Sequence, residues 1–95
     1  MQLATVKNYL DITWTDTDTD TKLTGILSRA ESTLNSYAGA VLDFTDETTP
    51  EAQLLLDCCR YMWWNTFEDF KTSYAAELIM LRARTAAEVS TDEEQ

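Results

Sequence analysis

Asp16, Asp18 and Asp20 alternate with threonines in the run TDTDTD, residues 15–20. Carboxylates at every second position open the calcium loop of helix–loop–helix proteins, which also needs a glycine at its sixth position and a bidentate glutamate at its twelfth. Counted from Asp16, those places hold Thr21 and Leu27. The run reads better as a helix start, where hydroxyls and carboxylates accept from unpaired backbone N–H groups and their charge suits the helix dipole. Glu68 and Asp69 stand beside Phe67 and Phe70, where burial would raise a carboxyl pKa, but the solvent side of a helix explains them better.

Nucleophilic chemistry fares no better. Histidine is absent, which removes the usual serine and cysteine triads. Gly25 and Gly39 lie too far apart to form a phosphate-cradling loop. Cys58 and Cys59 are adjacent, cannot staple distant segments, and have no third thiol or imidazole to complete a zinc site, so they read as core residues. No catalytic residue, metal site or cofactor is expected.

Trp63 and Trp64 offer a different chemistry, stacking on a base or a sugar. Adjacent helical residues point about 100° apart, so one ring at most faces a given ligand, and few cations accompany them. Packing is the better use of both. Together with Tyr61, Phe67 and Phe70, and with Arg82 and Arg84 to pair with acidic groups, they form the candidate interface with another subunit or partner.

The elements that must carry these residues are helices. Glycine and proline together number three in 95 residues, too few for a chain of hairpins. Val6, Tyr9 and Leu10 predict a short N-terminal helix over residues 4–10, with Ile12 and Trp14 in the connector after it. A second helix is expected from an N-cap at Thr17 or Asp18, through Leu23, Ile26, Leu27, Ala30, Leu34, Tyr37 and Ala38, to Gly39 as its left-handed terminator. Val41, Leu42 and Phe44 are expected to plug the core from a loop. Thr49, Pro50 and Glu51 mark the strongest boundary, an N-cap followed by proline at the first helical position.

The helix opened there is predicted to run from Leu54 through Phe67 to Phe70, apolar over more than half its circumference. A domain of this size can hardly surround such a helix, so it is expected to be central and partly shared with a neighbour. After Lys71, Thr72 and Ser73 a fourth helix or a kinked continuation follows. The expected fold is therefore all-α, a small bundle of three to four helices with a short N-terminal helix and a longer central one. Residues 1–84 are expected to form that domain, and residues 85–95 a flexible acidic tail.

Seven basic residues against seventeen acidic ones give a net charge of −10. That balance argues against nucleic acid or an anionic membrane as a partner of the whole surface. The N-terminus shows no secretory pattern and no stretch long enough to span a bilayer, so the cytoplasm is the default expectation.

The opening LATVKNYLDI, the aspartate-rich stretch, and the helix KLTGILSRAESTLNSYAG resemble the head–tail connector proteins of long-tailed bacteriophages, as does TPEAQLLLDCCRYMWWNTFEDF further on. The resemblance covers most of residues 3–70 and implies an adaptor subunit without enzyme activity. It implies a homo-oligomeric ring of about a dozen copies beneath the portal protein, extending the channel through which DNA passes and docking stopper or tail-completion proteins. Such a protein sits at the head–tail junction of the virion, and in the host cytoplasm before assembly. The alternative from the residues alone is a small acidic helical adaptor or inhibitor that binds a basic protein.

Overall fold

Three residues in the left-handed region, Asp11 (φ 59°), Gly39 (φ 77°) and Asn65 (φ 58°), cut the first part of the chain into helices. The computed structural model describes the backbone of residues 1–93 and the side chains of residues 1–87. Five helices result: α1 Leu3–Tyr9, α2 Thr17–Ala38, α3 Pro50–Trp63, α4 Phe67–Ser73 and α5 Ala75–Glu93. Three to four were expected, and the additional boundary falls at Trp64–Asn65–Thr66, inside the helix predicted to reach Phe70.

That boundary is a Schellman motif, in which a left-handed residue lets the chain turn back and satisfy the last carbonyls of the helix. Thr66 N–H donates to Tyr61 O at 2.8 Å and Asn65 N–H to Met62 O at 3.1 Å. The same pair of bonds closes α1, from Ile12 N–H to Lys7 O at 2.9 Å and from Asp11 N–H to Asn8 O at 3.2 Å. Asparagine and aspartate tolerate this backbone region better than other side-chain-bearing residues, so both breaks form without glycine.

Helix starts follow side-chain chemistry. Asp16, rather than Thr17 or Asp18, caps α2, accepting from Asp18 N–H at 3.3 Å and from Thr19 Oγ1 at 3.1 Å. Thr49 caps α3 by accepting from Ala52 N–H at 3.1 Å, with Pro50 in the first turn. At the other end, α5 is helical across residues 85–93 of the expected tail, and residues 94–95 lie outside the described residues. Thr85 is buried, its hydroxyl donating to Leu81 O at 2.8 Å.

The longest helix, α2 with 22 residues, packs against α1, α3 and α5 and is the central one. It runs antiparallel to α3, since Lys22 near its start lies over Trp63 at the end of α3. Leu23, Ile26, Ala30 and Leu34 of α2 meet Leu55, Cys58 and Cys59 of α3 in a core closed by Val6, Phe70 and Leu81. Burial of each large side chain contributes about 1.5–3 kcal/mol.

All of residues 54–59 are buried within the single chain. The bundle therefore encloses the middle of α3 on every side, while Tyr61, Met62, Trp63 and Phe67 further along the apolar run are only partly covered. The exposed large apolar residues among those described are Trp14, Val41, Ile79 and Met80, together with Trp64 from the end of that same run.

Candidate interaction surface

The proposed interface residues separate into three groups. Tyr61, Phe67 and Phe70 form an aromatic cluster with Tyr74. Phe70 stacks on Tyr74 at 4.7 Å and on Phe67 at 5.9 Å, and meets the edge of Tyr61 at 5.7 Å. Phe70 is fully buried, so it supports this cluster from within the subunit. Trp63 is half-buried with Lys22 Nζ 4.7 Å above its ring, whereas Trp64 is 67 % exposed. Arg82 is exposed on α5, and Arg84 bridges to Glu51 at 3.2 Å, tying α5 to the start of α3.

What the helices do build is a furrow where α2 meets α4 and α5. Three shallow depressions run into one another, the first holding Arg29, Met62, Phe67, Glu68 and Asp69, the second sharing Phe67 and passing Tyr37 and Lys71. The third shares Tyr37 and Lys71 and reaches Leu78, Ile79 and Arg82. Apolar side chains and cations line it, with Glu68 and Asp69 confined to the Arg29 end.

The charge distribution singles this furrow out. Lys7 pairs with Asp20 at 3.0 Å, Arg60 approaches Asp57 at 4.0 Å, Arg84 holds Glu51, and Lys22 sits on Trp63. The remaining three of the seven basic residues, Arg29, Lys71 and Arg82, all line the furrow. Lys71 contacts Glu68 at 3.0 Å, an exposed pair worth little. Arg29 and Arg82 have no ion pair among the described residues.

The loop of residues 40–49 presents the opposite character. Phe44 is anchored in the core while Val41 is 89 % exposed. Asp43 Oδ1 accepts from Thr45 N–H at 2.9 Å and Thr45 Oγ1 at 2.6 Å, and Asp46 Oδ1 does the same with Thr48 at 3.0 and 2.6 Å. Glu47 accepts from Gln2 N–H at 3.0 Å and Thr5 Oγ1 at 2.9 Å, fastening the loop to α1. These bonds hold all three carboxyls below their ordinary pKa. Of the expected core plug, Phe44 enters, Leu42 is half-buried, and Val41 points to none of it.

One buried polar group escaped the sequence reading. Asp57 lies in the buried run of α3 and accepts from the Tyr9 hydroxyl and from Gln53 Nε2 at 3.2 Å. Burial, then the bond to Asp57, pushes the Tyr9 phenol up to about 12. The Tyr74 phenol is raised first by burial and then by the charge of nearby Asp57. Helical spacing could have found it, since an acid among six consecutive buried positions needs donors from neighbouring elements. The carboxylate joins α1 to α3, a structural clamp.

Cys58 and Cys59 are buried free thiols, pushed up to about 12 first of all by burial. Among the described residues no group of three or more histidine, cysteine, aspartate or glutamate side chains could hold a metal ion, and there is no disulfide. No described helix is long and apolar enough to cross a membrane. No family model, curated protein or solved structure matches the chain.

Proposed function

We propose that this protein is a structural subunit of a phage head–tail connector, one of about a dozen copies in a ring below the portal protein. The observation that carries the reading is the pairing of an apolar, cation-lined furrow with a separate exposed loop of apolar and acidic residues on the same chain. A ring needs two different patches on each subunit, because its contacts run head to tail. The sequence resemblance supplies the biological setting, with the ring extending the DNA channel and docking stopper or tail-completion proteins.

The net charge of −10 suits a channel wall, since strong adhesion to DNA comes from cations that release phosphate counterions. Catalysis has no part in this reading: the thiols are buried, and Glu68 and Asp69 are exposed side chains of α4. The protein acts at the head–tail junction of the virion, after a period in the host cytoplasm. A second reading, an acidic adaptor that binds a basic protein, is favoured by the full exposure of Asp43 and Asp46. It predicts a discrete complex with that protein and no closed ring.

Light scattering coupled to size exclusion, across protein and salt concentrations, separates the two. With a chain of 10.8 kDa, a ring appears as a discrete species of about 130 kDa, alone or on a portal ring. A single-chain mass up to about 1 mM, both alone and with a portal ring present, would overturn the connector reading.

A further inference from the structure

We infer that the furrow between α2, α4 and α5 receives the 40–49 loop of a second copy of this chain. The inference rests on the ring reading and names its contact.

Charge complementarity is the first argument. The furrow gathers Arg29, Lys71 and Arg82, while the loop offers Asp43 and Asp46, each with one carboxylate oxygen free of partners among the described residues. Five of the chain's seven cations have a partner within the subunit, Lys71 only through an exposed pair, so Arg29 and Arg82 make the furrow the place where an acidic segment finds cations.

Apolar matching is the second. Val41, 89 % exposed, leads the loop, and Ile79, 70 % exposed, stands on the furrow beside Tyr37 and Leu78. Isolated exposed aliphatic residues need no explanation, but apolar surface beside opposite charges on two separate elements has the composition of two halves of one contact. Preorganisation is the third. Asp43 and Asp46 hold their turns through four hydrogen bonds, Phe44 pins the loop to the core, and Glu47 ties it to α1, so docking costs little ordering entropy.

The contact is heterologous, and repeated from copy to copy it gives a ring where the rotation between copies closes and an open filament where it does not. Opposite-charge pairs at an accessible interface are screened by salt, so association weakens as ionic strength rises.

Cross-linking between two single-cysteine variants tests it. Val41→Cys and Ile79→Cys alter exposed positions, and the native thiols are buried and protonated, so they stay silent. The two proteins, distinguished by isotope labelling, are mixed and oxidised with diamide, and the early rate of each disulfide-linked dimer is measured. Because each chain carries only one added thiol, no link within a chain competes.

The mixed dimer is expected to form at least about ten times faster than either like-with-like dimer. Arg82→Glu in the Ile79→Cys protein should slow it about tenfold, and Asp46→Lys in the Val41→Cys protein should restore it. Equal rates for mixed and like dimers overturn the inference. If a ring forms under those same conditions, the connector reading survives while this contact fails. A fast mixed dimer in an open or two-chain assembly keeps the contact and removes the ring.

Discussion

Replacing Asp57 with alanine should remove the clamp between α1 and α3. The carboxylate accepts from Tyr9 and Gln53. A hydrogen bond to a charged group contributes about 1.5–3 kcal/mol net, and the desolvation of the buried acid offsets part of the sum. The expected loss is about 2–4 kcal/mol, a large share of the roughly 5–14 kcal/mol available to a chain of this length. With a urea slope of about 1–2 kcal/mol per molar, the unfolding midpoint falls by about 2 M. Tyr9→Phe, which keeps the ring but removes the donor, should cost about 1–2 kcal/mol. In the double variant the losses should fall short of additivity by about 1 kcal/mol or more, since both substitutions break one bond. Losses that add to within about 0.5 kcal/mol would show that the phenol–carboxylate contact does not couple the two helices.

Thr49→Ala removes the N-cap of α3 and should cost about 1 kcal/mol in urea unfolding, while Thr49→Ser costs less. Asn65→Ala forces an ordinary side chain into the left-handed region at φ 58° and should destabilise by about 1 kcal/mol, whereas Asn65→Gly leaves stability nearly unchanged, both read from thermal unfolding. The thiols of Cys58 and Cys59 titrate near 9.0 when unfolded and near 12 when folded, so the folded state holds their protons longer. Their contribution is fully present below pH 9 and is lost as pH rises towards 12, by up to about 1.4 kcal/mol per pH unit for each thiol. Urea midpoints measured from pH 8 to 11 under reducing conditions should decline, and Cys58→Ala with Cys59→Ala should flatten that decline.

Local chemistry was legible wherever one residue type decides the backbone. Thr49 and Pro50 announced α3 and Gly39 ended α2, because capping hydroxyls, proline and glycine act on their own neighbours. Asn65 and Asp11 make the same left-handed turn as Gly39, yet either residue also sits comfortably inside a helix or a loop. The break before α4 stayed hidden because the apolar spacing runs on through Trp63, Trp64 and Phe67. The placement of exposed surface was hidden for another reason. Residues 54–59 look excessive for a small domain until α1, α2 and α4 close around them, and that closure is a long-range fact. The furrow is likewise assembled from three helices, so no spacing within a single helix could reveal that Arg29, Lys71 and Arg82 line one trough. Asp57 looked like one more charge among seventeen until its donors arrived from elsewhere in the chain.

The helix boundaries bear on timing as well as shape. The ends of α1, α2 and α3 are set by hydrogen bonds spanning five residues or fewer, and α2 meets α3 across a single loop. Helical topologies dominated by such near-neighbour contacts fold in about microseconds to milliseconds. Two specific protein surfaces associating at about 10⁶ M⁻¹s⁻¹ need about a second to meet at micromolar concentration. Folding thus finishes roughly a thousandfold sooner than any encounter between chains. For any assembly made from this protein, supply would then set the pace: chains finish folding before they meet, and their concentration governs how fast they join.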